Sequence, residues 1–266
     1  MGTSDPRVPL VLAHAEACRE ANRQKRSRPS LPHILKDIYR IDLTGADLTG
    51  ANLTRADLTD AKLTGIDLTG ADLNGANLSG AWLFSADLRG AKLYSANLTR
   101  ANLNSAKLNS ANLKDANLTN ADLTSANLTG ADLRGAILTG ADLNGANLTG
   151  ADLNGANLTR VRLFRAELSG ANLTGADLTD ADLTGADLNG AEIGFADLTN
   201  AKITQDQLDD SNYVNVADLG YLKEVAEKVI LLHEPPTSWE RIAKKRLVVE
   251  LRADGKLYIK TPIFKY

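Results

Sequence analysis

The chain has 266 residues, a formal net charge of −3 and 43% hydrophobic residues, with only 6 Tyr, 4 Phe and 2 Trp. It is long enough to bury a core, and that core has to be aliphatic. One cysteine, Cys18, excludes an internal disulfide framework and a cysteine-ligated metal, three histidines leave no histidine cluster, and no apolar run approaches the ~20 residues that span a bilayer.

Residues 1–40 read as a helical N-terminal cap. They lack the basic-then-apolar layout of a signal peptide, and Pro6 stands where a myristoylation motif requires Ser or Thr, so the expectation is a cytoplasmic protein. A helix is expected over 8–25, with Leu10, Ala13, Ala17 and Ala21 on one side. Pro29 and Pro32 bracket a break, and Ser30 caps a short second helix with Ile34, Leu35 and Ile38 inward. The basic run from Arg23 to Arg28 reads as a solvated linker, so neither direct nucleic-acid binding nor a membrane contact is expected.

From Ile41 to Gln205 the chain repeats every five residues without a slip, giving 33 units. The third position is Leu in 31 units and Ile in two; the first is Ala in 30, the exceptions being Ile41, Ile66 and Val161. The second is mostly Asp or Asn, the fourth mostly Thr or Asn, and the fifth is Gly in 17 units. A period of five suits neither a helix nor a flat strand. It suits a short extended piece, with positions one and three on one side, followed by a corner. One such unit buries nothing alone, but units coiled in register bury both apolar positions and pair their backbones at about 4.8 Å.

The Ala-[Asp/Asn]-Leu-x-x pattern resembles the pentapeptide-repeat proteins over 165 of the 266 residues. The resemblance implies an all-β solenoid: a right-handed quadrilateral β-helix with four units per coil and about eight coils, roughly 40 Å long at ~4.8 Å per coil. It also implies binding to a type II topoisomerase as a mimic of duplex DNA, since some members protect that enzyme from antibiotics. Central Leu almost throughout, with no loop breaking the register, departs from the quinolone-protection members, which often mix Phe into the centre.

Four units per coil make residues 20 apart vertical neighbours, so outward side chains sort by side. The side centred on Leu58, Leu78 and Leu98 is the most regular, with Thr or Ser at position four in every unit. Thr–Thr and Asn–Asn ladders are the expected role of that column, and an ice-binding array is the sharper alternative. The side centred on Leu43, Leu63 and Leu83 is the least regular and carries Lys62, Trp82, Phe84, Arg162, Phe164 and Arg165. The opposite side carries Lys92, Tyr94, Lys114, Arg134 and Glu192, with Phe195 at a corner. Outward aromatics on a solvated rod point to a partner or to cover from the flanks.

Residues 41–205 hold 19 Asp and Glu against 12 Lys and Arg, a net of −7. Duplex DNA of the same length carries about 24 charges, at one per ~1.7 Å. Mimicry is therefore confined to a stripe, for which Asp122, Asp142 and Asp182 are the candidates. The plainer reading of position-two Asp and Asn is that they bond neighbouring backbone and keep the rod soluble.

Residues 206–266 are not repetitive. Leu219, Leu222, Ala226, Val229 and Leu232 sit at helical spacing before Pro235-Pro236, and Thr237–Glu240 is a capping-box pattern. Arg246–Arg252 and Lys256–Thr261 read as a hairpin around Ala253-Asp254-Gly255. The segment is expected to cap the last coil, to join two rods end to end as a homodimer or, third, to form a small separate binding domain.

The repeats contain no His and no Cys, and no phosphate-binding glycine loop appears. Stacked Asp residues arise trivially from the period and are weak evidence for acid–base work. No catalytic residue, cofactor or metal site is expected. The functional expectation is a non-enzymatic protein-binding rod, with Trp82, Phe84, Arg162, Phe164, Arg165, Asp122, Asp142 and Asp182 as candidate contacts. The alternative is a scaffold whose flanks recruit the partner.

Overall fold

The structure is a computed structural model that describes residues 42–211, the strand residues 248–251 and 257–260, and Pro9, Leu12 and Ala13. Its main feature is a ladder of single-residue parallel bridges, each joining a position-two residue to the one 20 further on, from Asp42↔Lys62 to Asp182↔Lys202. Each coil therefore contains 20 residues and four sides, as the sorting by 20 requires.

The period dictates the bonding within a coil. The position-three amide donates to the position-two carbonyl of the next coil (Leu43 N to Lys62 O, 2.8 Å), and the position-five amide donates to the position-four carbonyl (Gly45 N to Thr64 O, 2.9 Å). The position-two amide donates back to the previous coil (Asp67 N to Ala46 O, 2.9 Å). The position-one amide closes the turn (Ala46 N to Leu43 O, 3.0 Å). All the corners from Gly45 to Asn200 have φ between +53° and +69°, 17 of them glycine and 15 not. A positive φ at the third turn residue alone, with an i to i+3 bond, is the type II pattern. None of the 15 non-glycine corners is β-branched, the class most strained in that region.

Ala and Leu of positions one and three fill the interior. From Leu43 to Ile193 they are buried, Ala51 being half-buried, in one continuous aliphatic column. Burying one Leu side chain contributes about 1.5–3 kcal/mol, so the column supplies the cohesion that a single unit lacks.

The repeat ends one residue earlier than its sequence period. Gln205, fifth in the last unit, opens helix α1 (Gln205–Asp210) instead of forming a corner. A capping box causes the diversion: Gln207 N donates to Thr204 Oγ1 (3.3 Å), and Thr204 N donates to Gln207 Oε1 (2.9 Å). Gln207 Nε2 then donates to Leu183 O (2.7 Å) and Ala186 O (2.8 Å). In the regular coil, a carbonyl like that of Ala186 receives the position-two amide 21 residues on, and Gln207 stands at that position. Its side chain thus replaces the ladder where the backbone leaves it, while Gly190 N donates to Asp210 O (2.8 Å). Leu208 packs against the core.

The chain divides into two compact units, Met1–Tyr213 and Val214–Tyr266. In the second unit, β1 (Val248–Leu251) pairs antiparallel with β2 (Leu257–Lys260), Leu251 opposite Leu257, as the hairpin pattern requires. Of the helix expected over 8–25, Pro9, Leu12 and Ala13 are helical and exposed. The rest of that helix, the helix after Ser30, the Leu219–Leu232 helix and the Thr237 cap lie outside the described residues. So do the capping and dimerisation roles expected of the flanks.

Candidate functional site: the four sides of the rod

Position two carries the local chemistry. In every one of the 24 units with Asp or Asn there, Oδ1 accepts the amide of position four, two residues on; examples are Asp47 to Thr49 (2.9 Å), Asn102 to Asn104 (3.0 Å) and Asp187 to Asn189 (3.0 Å). That amide is the one main-chain donor that neither the coil-to-coil ladder nor the turn bond of position one uses. Asp and Asn recur at position two because they supply its acceptor through an Asx turn. Most of the acidity of the rod is therefore committed to the backbone.

Where position two is neither Asp nor Asn, the amide needs another acceptor. Lys92 and Arg162 cannot accept. At those units Asn74 Oδ1 accepts from Tyr94 N (3.0 Å) and Asn144 Oδ1 accepts from Phe164 N (3.0 Å), each from one coil earlier. Asn154 faces Thr174, whose amide Asn172 already serves (3.0 Å), and donates Nδ2 to Thr174 O instead (2.9 Å).

All eight candidate residues fall on or beside the Leu43 side. Trp82, Asp122, Asp142, Arg162 and Asp182 are position-two residues of one column, Phe84 and Phe164 are position-four residues, and Arg165 is the adjoining corner. Trp82, Phe84 and Phe164 are 58%, 46% and 42% exposed. The Arg165 guanidinium lies 4.9 Å from the Phe164 ring centroid. Trp82 and Arg162 are four coils apart, about 19 Å at ~4.8 Å per coil.

The acidic stripe is largely neutralised where it was expected. Asp142 pairs with Arg162 (2.5 Å) and Asp182 with Lys202 (2.9 Å). Hydrogen bonds from the Thr184 hydroxyl, the Lys202 ammonium and the Thr184 amide hold the Asp182 carboxyl down at about 2. Counting positions two and four, Asp42, Asp122, Asp142 and Asp182 face Lys62, Arg162 and Lys202, leaving this side at −1. The Leu48 side, which sequence reasoning passed over, is more acidic: Asp47, Asp67, Asp87, Glu167 and Asp187 against Arg89 and Lys107, a net of −3. The Arg89 side-chain hydrogen bond holds Asp87 below the usual carboxylate range, and the Ser169 hydroxyl does the same for Asp187.

The Leu58 side is a ladder of a different kind from the one expected. Its threonines donate to Asx oxygens: Thr99 Oγ1 to Asn97 (2.6 Å), Thr119 to Asn117 (2.7 Å) and Thr159 to Asn157 (2.7 Å). Asn97 Nδ2 donates to Asn77 Oδ1 (3.1 Å). The Asn–Asn contact is as expected, but Thr–Thr bonds are not part of the column among the described residues, because a neighbouring Asx oxygen is the better acceptor. Among the described residues no group of three or more His, Cys, Asp or Glu is placed to hold a metal, and no helix is long and apolar enough to cross a membrane.

The sequence model for pentapeptide repeats matches in eight copies spanning residues 37–163 and 166–205. The chain belongs to the pentapeptide-repeat family. The fold of that family is the right-handed quadrilateral β-helix, and its members are generally structural or binding proteins rather than enzymes. Similar solved structures include HetL from the cyanobacterium Nostoc, a pentapeptide repeat protein involved in heterocyst differentiation regulation. It is 36% identical, with 65% of this chain matched to 94% of that one and a TM-score of 0.36. Rfr23 from the cyanobacterium Cyanothece is 37% identical over 39% of this chain and 63% of that one, with a TM-score of 0.29. QnrB1, a plasmid-mediated fluoroquinolone resistance protein, is 21% identical over 71% of this chain and 96% of that one, with a TM-score of 0.37. No curated protein matches. The four-sided coil rests on the 20-residue bridge register, not on these superpositions.

Proposed function

We propose that this pentapeptide-repeat chain is a non-catalytic protein-binding rod that works without a cofactor and engages its partner through the Leu43 side. One observation carries the reading. Trp82, Phe84 and Phe164 share that one side, each more than two-fifths exposed, on a rod whose other outward positions are mostly small and polar. Aromatic and Arg side chains grouped on a rigid surface are what interface anchors consist of.

A type II topoisomerase is the specific partner to test, since a fluoroquinolone-resistance protein is among the similar structures. A DNA-like stripe on the Leu43 side is disfavoured by the ion pairs of Asp142 and Asp182. The Leu48 side and the Leu58 side, which carries Asp57, Asp177 and Asp197 with no Lys or Arg at positions two and four, each have a net of −3 and are the better places for one. The test is a gyrase supercoiling assay with purified full chain, with and without a quinolone. Inhibition or drug protection at micromolar protein or below supports the topoisomerase reading. No effect at a large excess over gyrase removes that enzyme and leaves the binding rod with another partner.

A further inference from the structure

The hexapeptide Ala-Asp-Leu-Asn-Gly-Ala occurs four times, at residues 71–76, 141–146, 151–156 and 186–191. An Asn side chain before Gly is open to attack by the next main-chain nitrogen, because glycine has no Cβ to shield that atom. The four corners share one conformation, with Gly75, Gly145, Gly155 and Gly190 at φ between +63° and +66°. They differ in what holds them. In three, a single residue one coil ahead clamps both groups that would react. Gly75 N donates to Tyr94 O (2.8 Å) while Asn74 Oδ1 accepts from Tyr94 N (3.0 Å). Gly145 N donates to Phe164 O (2.9 Å) while Asn144 Oδ1 accepts from Phe164 N (3.0 Å). Gly155 N donates to Thr174 O (3.0 Å), and Asn154 Nδ2 donates to the same oxygen (2.9 Å).

The fourth copy has α1 ahead of it instead of a coil. Asn189 is exposed, and its side chain makes no hydrogen bond among the described residues. Gly190 N donates to the carbonyl of Asp210 (2.8 Å), the last residue of that six-residue helix. So short a helix is held by its contacts rather than by its own bonds. The apolar residues at this end, Ala196, Leu198, Ala201, Ile203 and Leu208, are only half-buried, whereas Leu73, Leu143 and Leu153 are buried. Local opening is therefore easiest at this corner.

We infer that Asn189-Gly190 is a modification site, at which Asn189 converts to aspartate and isoaspartate through a succinimide while the rod protects the three other copies of the same hexapeptide. The Gly190 main-chain nitrogen gives its proton to a solvent base and attacks Asn189 Cγ; the Cγ–Nδ2 bond breaks and Nδ2 leaves as ammonia. Water then opens the ring at Cγ, leaving aspartate, or at the main-chain carbonyl carbon, leaving isoaspartate. Either product adds a carboxylate on the side that carries Asp187, and isoaspartate lengthens the main chain by one carbon at the corner that holds Gly190 N to Asp210 O. The inference does not depend on the protein-binding reading.

The four copies are each other's controls, since their local sequence is identical. The test incubates the purified full chain at mildly alkaline pH, folded and in urea, and follows each Asn-Gly pair by proteolysis and tandem mass spectrometry. In the folded chain Asn189 is expected to convert about tenfold or more faster than Asn74, Asn144 and Asn154, the effect of a lower local opening energy. In urea the four rates converge. Gln207→Ala, which removes the bonds from α1 to Leu183 O and Ala186 O, is expected to speed Asn189 further and leave the other three unchanged. Equal rates at the four pairs in the folded chain, faster conversion at any of the other three, a difference that persists in urea, or an Asn189 rate indifferent to Gln207→Ala overturns the inference.

Discussion

Asn144 lends its side-chain oxygen to the backbone amide of Phe164, one coil away, at 3.0 Å. Arg162 holds the position that would otherwise serve that amide, so the aromatic residue and the asparagine beneath it form one structural unit. Asn144→Ala removes the acceptor without disturbing the bond of Asn144 N to Asp142 (3.1 Å). Denaturant unfolding should show a loss of about 1 kcal/mol, the net value of one such bond. Asn109→Ala lies under Thr129, whose amide Asn127 already serves (3.0 Å), and should stay within about 0.5 kcal/mol of the parent. Equal losses for the two variants contradict the pairing.

Corner glycines should differ in tolerance according to what stands a coil below. Gly80 (φ +68°) and Gly90 (φ +63°) share the left-handed conformation, so alanine at either costs about 1 kcal/mol in strain. A Cβ at Gly80 would also come within 2.1 Å of Asp60 Oδ1, whereas one at Gly90 meets nothing within 4 Å. Gly80→Ala is therefore the more destabilising change, and the excess should vanish in an Asp60→Gly background. A double-mutant cycle on unfolding midpoints reads the coupling directly.

Phe195 presents the reverse case. It is a bulky residue at φ 59°, 57% exposed, at a corner where most units have Gly. Phe195→Gly relieves about 1–2 kcal/mol of left-handed strain and gives back part of it as extra unfolded-state entropy. The expected outcome is a thermal midpoint at or above that of the parent, measured by circular dichroism. A clear drop shows that the ring makes contacts worth more than the strain.

Acid should loosen the rod. Asp182 is held at about 2, and hydrogen bonds lower Asp87, Asp132, Asp177 and Asp187 as well. For a carboxylate whose folded value lies below its unfolded one, the stabilisation is complete above the unfolded value and is lost as pH falls through the folded one. Unfolding midpoints should therefore be flat from pH 7 to about 5 and decline between about pH 4 and 2. Asp182→Asn keeps an acceptor for the Thr184 amide but removes the charge, so its decline should be shallower. A midpoint that rises on acidification contradicts the assignment.

The side on which each outward residue stands was legible from the period alone, because a Leu every five residues and a coil of four units leave no freedom in the register. The period alone therefore places Trp82, Phe84, Arg162 and Phe164 together. The bonding that distinguishes Phe84 from Phe164 was not legible. Asn stands at position four in Asn74, Asn104, Asn109, Asn144, Asn154 and Asn189, yet only Asn74 and Asn144 serve an aromatic amide, and Asn154 turns its amide the other way. Residue type does not tell which lone pair faces which donor; the neighbour 20 residues on decides it. Gln207 was missed for a related reason. Its position continues the repeat register, but its role depends on the main chain having already turned into a helix.

The 20-residue bridge register has a consequence for how such a chain changes length. Inserting one unit of five residues after Asn104 would leave every local bond type intact, yet it would rotate everything downstream by a quarter turn. Phe164 would move to the neighbouring side and no longer share a surface with Trp82. Only an insertion of four units lengthens the separation of the two aromatic stations while keeping them in line. The spacing between them is thus quantised, and a partner that touches both can be followed only by a rod that grows a whole coil at a time.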